Sequence, residues 1–393
     1  MKNLILNTVR IRPSRTEQEC VEILPSQGLL WIKDEKGVGG HYSKLSGYHY
    51  IFTEENTQED VYAKSARPMV ERFLSGMNTA ILTYGQSGSG KKYTIGIDFR
   101  EELEKGFSEN TGIIPRSITD IFNYIKDAQE ENPDAIFSLK MTFLCIFQEE
   151  FIDLLSENRP KSSMRSRSPN PAALRTPSTT SNIVVRDLGK RGIVITGVKE
   201  EKILSVDMIL DRIIQGWNTR ESIIDKENST RSHTVLSFYL VQDDGKGNSV
   251  SSKIHFAHLA GSEKPKRSVD RNKELGQSIG LLTLSKVLEN VNDKQFKGYI
   301  PYRESKLTHM MQDCIQQTGS YSVISHISSD LNDYLETRNT IRFIARVFKN
   351  INDTSIISAQ EGVRTQMAKL SEELHIAKNG KFNILYFDNI NII

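Results

Sequence analysis

The feature that most constrains this 393-residue chain is the string Gly85-Gln86-Ser87-Gly88-Ser89-Gly90-Lys91, set directly behind an apolar run from Asn78 to Tyr84. Glycines at this density let backbone N–H groups converge on phosphate oxygens, and the lysine brings a cation to the terminal phosphates. Such a loop joins a buried strand to the first turn of a helix. The apolar run supplies the strand, and a helix is expected to open at the lysine. The residue after the lysine is ordinarily Ser or Thr, whose hydroxyl ligates Mg²⁺. Here it is Lys92.

The rest of the chain alternates between two periods. Leu4 to Arg12 reads as a strand stopped by Pro13. Ser138 to Phe147 places Leu139, Met141, Phe143 and Cys145 on one face of another, and His233–Val241 and Ile254–Ala260 read as two more. Helical spacing links Leu210, Ile213, Ile214 and Trp217, then Leu281, Leu284, Leu288 and Val291, then Leu307, Met310, Met311 and Cys314. Strands and helices in alternation imply an α/β class, with helices layered on a central sheet. No apolar run reaches the ~18 residues of a membrane span. Met1-Lys2-Asn3-Leu4 does not open a secretory signal. Cys20, Cys145 and Cys314 are odd in number and far apart, which fits a reducing cytoplasm better than a disulfide framework or a zinc site. The net charge is only +2, so an acidic partner must be met by local patches.

Two segments depart from the alternation. Residues 159–181 are rich in Ser, Thr and Pro, carry Arg159, Lys161, Arg165, Arg167 and Arg175, and hold no acidic residue. They read as a disordered basic insertion. Near the C-terminus, Val363, Met367, Leu370 and Leu374 are spaced 4-3-4. That seam suits either the start of a coiled coil, hence a homodimer, or a single amphipathic helix.

Further strings carry a family resemblance. Val9-Arg10-Ile11-Arg12-Pro13, Tyr84 to Thr94, Asn228-Ser229-Thr230-Arg231-Ser232-His233, Leu259-Ala260-Gly261-Ser262-Glu263, Ile300 to Thr308 and Thr337 to Phe343 occur in this order. Together they resemble a kinesin motor domain, with the kinesin-4 group as the most similar branch. The resemblance implies the kinesin form of the P-loop NTPase fold over residues 1–352, a central mixed sheet of about eight strands flanked by helices on both faces. Residues 353–378 would begin a neck, and 379–393 stay unassigned. It implies that ATP or ADP is held by Arg10, Arg12, Pro13 and Tyr93 at the base, and by Gly85, Gln86, Ser87, Gly88, Ser89, Gly90, Lys91 and Lys92 at the phosphates. It assigns the catalytic switch roles to Ser229, Thr230, Arg231, Gly261 and Glu263, with Arg231 pairing to Glu263 when the switches close. It implies microtubules as partner, met by Lys294, Lys297, Arg303 and Lys306, by Lys264, Lys266, Arg267, Arg271 and Lys273, and by the 159–181 insertion. Localisation to the cytoplasm and the microtubule cytoskeleton follows from that partner. No aromatics interleave these charges, so a nucleic-acid surface is not expected.

Three positions depart from the family pattern, all around the metal. Lys92 replaces the hydroxyl ligand, His258 replaces the aspartate that opens the second switch, and Lys226 replaces an asparagine of the first. Mg²⁺ prefers hard oxygen ligands, so these changes weaken the case for a metal and for rapid hydrolysis. Two readings follow. One is an ATP-driven motor head with impaired hydrolysis. The other is a non-enzymatic microtubule-binding scaffold with static nucleotide or none.

Overall fold

The computed structural model describes residues 3–16, 18–24, 29–32, 48–97, 107–156, 183–189, 192–224, 226–263 and 271–349. All of these lie in one compact unit, Met1–Lys349. The insertion at 159–181, the seam from Val363 to Leu374 and the tail at 379–393 fall outside the described residues.

Among the described residues there are thirteen strands: β1 (Ile5–Arg12), β2 (Val21–Leu24), β3 (Leu29–Ile32), β4 (Tyr50–Phe52), β5 (Thr79–Gly85), β6 (Ile136–Phe147), β7 (Glu150–Asp153), β8 (Val184–Asp187), β9 (Ile193–Thr196), β10 (Glu201–Lys202), β11 (His233–Asp243), β12 (Ser249–His258) and β13 (Ser320–Ser328). The helices are α1 (Gln58–Val61), α2 (Arg67–Leu74), α3 (Lys91–Ile95), α4 (Ile113–Glu131), α5 (Val206–Ile223), α6 (Lys226–Ser229), α7 (Arg271–Asn292), α8 (Lys306–Met310), α9 (Gln312–Ile315) and α10 (Tyr334–Val347). The main sheet runs β10-β6-β11-β12-β5-β13-β1-β4, with β7 paired to β6. Counting β7 it is a nine-stranded mixed sheet, close to the sheet of about eight strands that the family resemblance implies. Two small hairpins, β2–β3 and β8–β9, stand apart from it.

The register explains the layers. Phe143, Leu236, Phe256 and Ile81 lie in one row across β6, β11, β12 and β5, and all join a core with Phe73 of α2, Ile118 of α4 and Ile213 of α5. The next row, Leu144, Val235, Ala257 and Leu82, points to the opposite face and is buried as well. Every residue of β5 and of β13 is buried, so both faces of the sheet centre are covered.

The same register places the site. β12, β5, β13, β1 and β4 run parallel, so the carboxyl ends of β1, β5, β12 and β13 share one edge of the sheet, where ligands of open α/β sheets bind. β11 is antiparallel to β12, which starts it at that same edge. Residues 228–233, 258–263 and 85–94 are thereby brought together from three distant stretches of chain.

One expectation changes. Leu307, Met310, Met311 and Cys314 are all buried, but they do not share one helix. Met311 sits at φ −95° and ψ 0°, which ends α8 and starts α9 one residue out of phase. Hydrophobic spacing reports burial, and two short turns can satisfy it as one helix would. Among the described residues, no helix is long and apolar enough to cross a membrane.

Candidate nucleotide site and its surroundings

β5 delivers the chain to Gly85 at φ +136°. A Cβ there would stand 2.2 Å from the His326 carbonyl oxygen, so the close pairing with β13 excludes any side chain. Gly90, at φ +101°, turns the loop into α3, which spans only five residues before Gly96 ends it. Lys91 is buried, and its Nζ donates to the carbonyls of Gly85 at 2.6 Å and Gln86 at 2.7 Å. Burial lowers its pKa to about 8, with the Glu263 charge pulling the other way. The ammonium is held beneath the loop it serves.

The residues expected at the base are tied to one another. The Arg10 guanidinium lies 5.0 Å from the Tyr93 ring centre and donates to Gln58 Oε1 at 2.6 Å and Thr94 Oγ1 at 2.8 Å. Burial lowers the Arg10 pKa, and Tyr93 partly offsets this. Gln58 Nε2 in turn donates to the carbonyls of Tyr93 and Asn110, at 2.8 Å and 3.1 Å. The Tyr93 hydroxyl donates to Asn110 Oδ1 at 2.9 Å, leaving a half-exposed ring face suited to stacking on a base. Arg12 donates to the Gly88 carbonyl at 2.6 Å and pairs with Asp333 at 3.1 Å, and exposed Pro13 follows it. Gln58, Asn110 and Asp333 were not singled out from the sequence. Each sits on an isolated stretch with no motif of its own.

The switch residues are joined to one another and to the loop. Arg220 of α5 is 2% exposed, and it donates to Ser229 Oγ at 3.0 Å, to the Ser229 carbonyl at 2.6 Å and to Ser232 Oγ at 2.7 Å. The Gly261 amide donates to the Thr230 carbonyl at 2.7 Å, and the Ser262 amide to the Gly85 carbonyl at 3.1 Å. The expected Arg231–Glu263 pair is not made. Glu263 instead accepts from the Ser87 amide at 2.9 Å and the Ser87 hydroxyl at 2.5 Å. A carboxylate thus occupies donors of the phosphate loop, as an anion should.

The metal side carries different chemistry. The Lys92 ammonium lies 5.0 Å from the Trp217 ring centre, and the Arg220 guanidinium lies 4.7 Å from the same ring. His258 meets that indole edge-on at 6.4 Å. Its Nδ1 is buried and makes no hydrogen bond, although the residue as a whole is partly exposed. Burial first, then Lys91, Arg220, His326 and Lys92, hold His258 well below the usual imidazole range, so it is neutral. Mg²⁺ sites are built from carboxylate, carbonyl, hydroxyl and water oxygens. The groups gathered here are an ammonium, a guanidinium, an indole and a neutral imidazole, and they do not fit that ion. The Lys226 side chain lies outside the described residues.

The segment expected to face a track is ordered by a hairpin turn. Gln148 and Glu149 both take left-handed backbone, at φ +53° and +58°, and this aims the Glu149 carboxylate at the start of α8. It accepts from Ser305 Oγ at 3.1 Å and the Lys306 amide at 2.7 Å. Of the four expected contact residues, Lys294 and Lys297 are exposed. Arg303 lies 3.6 Å from Asp187, and Lys306 pairs with Glu150 at 3.0 Å. Lys264, Lys266 and Arg267, and the side chains of Arg271 and Lys273, fall outside the described residues. The β8–β9 hairpin is fastened to the sheet by an ion pair of buried Lys253 with partly buried Asp313, Nζ to Oδ2 at 2.6 Å, which also satisfies the carbonyl and amide of Ile193.

Comparisons with known proteins identify the family and the fold. The profile described as Kinesin motor domain matches residues 14–351. The chain is 31% identical to the chromosome-associated kinesin KIF4 of Xenopus laevis over 382 residues, covering 93% of this chain and 29% of that protein. It is 29% identical to the kinesin-like protein kif7 of Danio rerio over 403 residues, covering 96% and 27%. The chain therefore spans less than a third of the length of these curated relatives. Among solved structures, that of a fast kinesin superposes with a TM-score of 0.71 at 24% identity, covering 88% of this chain and 91% of that one. The motor domain of a Kar3-like kinesin from Ashbya gossypii gives 0.67 at 24% identity, covering 88% and 99%. With a profile match across most of the chain, the same sheet, and a phosphate loop flanked by two switch segments at one sheet edge, this chain belongs to the kinesin motor domain family.

Proposed function

We propose that this chain is a microtubule-docking kinesin head that binds ATP or ADP, couples the nucleotide to track affinity, and hydrolyses ATP slowly. One observation carries the reading. The groups expected at the base are tied to one another beside the phosphate loop, while Lys92 lies on Trp217 and a neutral His258 stands where a metal would be sought. Binding can survive this arrangement, because it rests on the glycine loop, Lys91, Arg10 and Tyr93. Turnover suffers, because charge development at the terminal phosphate loses a stabilising group.

Coupling is built on Glu263. Its carboxylate sits on Ser87, and a phosphate entering the loop competes for those donors. A displaced Glu263 is free to reach Arg231, and such a change of partner is how a bound phosphate becomes a shape change. The exposed Lys294, Lys297 and Arg303 supply a local cationic patch for an acidic track despite the near-neutral chain.

Co-sedimentation with microtubules, combined with steady-state phosphate release, tests the reading. The expected results are binding that weakens with salt and differs between ATP analogue and ADP, with turnover far below the ~10 s⁻¹ of an ordinary enzyme. Microtubule binding that ignores nucleotide would favour the static scaffold. The Glu263–Ser87 contact, which already satisfies the loop from within, is the observation behind that second reading.

A further inference from the structure

We propose that Arg220 is a positioning residue that pins the first switch, so that nucleotide-driven change runs through the second switch. This rests on the reading that the site binds nucleotide, and it adds which of the two switches answers. Three observations carry it.

The first is a buried charge without a counter-ion. Arg220 stands in the last turn of α5, and its guanidinium makes three hydrogen bonds and, among the described residues, no ion pair. All three acceptors belong to the first switch: Ser229 Oγ at 3.0 Å, the Ser229 carbonyl at 2.6 Å and Ser232 Oγ at 2.7 Å. Its Nε is buried with no partner. Its other neighbours are the Trp217 ring, at 4.7 Å, and the Cys145 thiol, a weak acceptor. The carboxylates of this corner are engaged by other donors: Glu263 by Ser87, and Glu221 by the Trp217 indole N–H at 2.9 Å. A buried cation stripped of its acceptors is expensive. Swinging the first switch away would strip all three at once, while Ile209, Leu210, Ile213 and Trp217 keep α5 packed in the core.

The second is that the remaining ties of this segment also lie away from the phosphates. The Ser232 hydroxyl donates to the Ser229 carbonyl at 3.1 Å, and the Nδ1 of buried His233 accepts from the Ala260 amide at 3.1 Å. None of these groups belongs to the phosphate loop, so the hold does not depend on phosphate contacts. The third is the contrast with the second switch. Partly exposed Glu263 is tied to the amide and hydroxyl of Ser87, donors that a phosphate also seeks. Of the charged groups here, Lys91, Lys92 and Arg220 are cations, Glu263 is an anion and His258 is neutral. An entering polyphosphate therefore repels Glu263 and none of the groups that hold the first switch.

The test is backbone hydrogen exchange over residues 228–233 in the free protein, with ADP and with an ATP analogue, after labelled nucleotide has shown that the site is filled. In the parent the exchange rates of this segment should agree within about threefold across the three states. Arg220→Met, which removes the charge and the fork, should speed exchange there by about tenfold or more in the free protein and make it sensitive to nucleotide. Arg220→Lys keeps the charge but cannot span two serines, so it should restore little of the protection. A merely structural role would instead speed exchange equally in all three states and throughout β11 and β12. That result, full rescue by Arg220→Lys, an unaltered Arg220→Met variant, or a parent whose first switch changes tenfold with nucleotide would each overturn the inference. Should Arg220→Met fail to fold, the comparison of states in the parent decides alone. Absence of nucleotide binding would overturn the underlying reading, while exchange in the free parent and its variants would still test the anchoring by Arg220.

Discussion

The two sides of the phosphate loop have diverged in kind. On the base side every group is tied to another: Arg10 to Gln58 and Thr94, Tyr93 to Asn110, Arg12 to Gly88 and Asp333. On the metal side two cations share one indole and a neutral imidazole keeps an unpaired nitrogen. Both sides hang from the same strand and the same glycines, so the backbone of the loop is common to them and the difference lies in the side chains. The reason is local. Gly85 and Gly90 are required by backbone geometry, at φ +136° and +101°, whereas Lys92 and His258 sit in ordinary helix and strand backbone that imposes no side chain.

The largest expected effect removes the difference outright. Lys92→Thr with His258→Asp should raise microtubule-stimulated phosphate release on the order of a thousandfold, equivalent to about 4 kcal/mol of recovered transition-state stabilisation. Either change alone should do little, because both groups serve one ion. A double variant no faster than its parent would place the defect elsewhere.

A second effect concerns the histidines around Lys91. Burial, with Lys91 adding to it, lowers His233 to about 4; burial, then Arg10 and Lys91, lowers His326 to about 3. His326 accepts from Thr94 on the base side, while the charge of Lys91 acts on His258 on the metal side. Above the ordinary value both folded and unfolded chains are neutral, and nothing is gained or lost. As pH falls below it, the unfolded chain binds protons that the folded chain refuses, so stability drops. By pH 5 a histidine lowered to about 4 should cost on the order of 2 kcal/mol. Thermal unfolding should show the midpoint falling steeply between pH 7 and pH 5. A flat profile would mean that these rings titrate normally.

Smaller effects sharpen the contrast. Tyr93→Ala should weaken ATP binding by about tenfold through lost stacking, yet leave inorganic tripolyphosphate unaffected. Equal loss for both would show that Tyr93 supports the loop and not the base. Least of all, Ser87→Ala should strengthen nucleotide binding by a few-fold, since it removes one hydrogen bond holding Glu263 in the loop. Equilibrium titration checks this, and weaker binding would mean that Ser87 serves the nucleotide directly.

Much of this protein was legible residue by residue. The glycine loop behind an apolar run, the period-2 strands and the odd residues Lys92 and His258 all announce themselves over short stretches, because backbone strain, alternate burial and ligand chemistry are local demands. The mixed sheet of about eight strands was implied by the family strings, but the order of its strands came only from the structure. What the sequence could not disclose is where flexible charged side chains settle. Arg231 and Glu263 are complementary on paper, yet Glu263 bonds Ser87, and the Gly261 amide is taken by Thr230. Lys92 reads as a phosphate ligand, and only the approach of α5 shows that an indole lies within its reach. Gln58, Asn110 and Asp333 join the site because parallel strands bring their carboxyl ends to one edge. Partners of a long polar side chain are chosen by through-space distance among many near-equal options, and that choice is settled by tertiary packing.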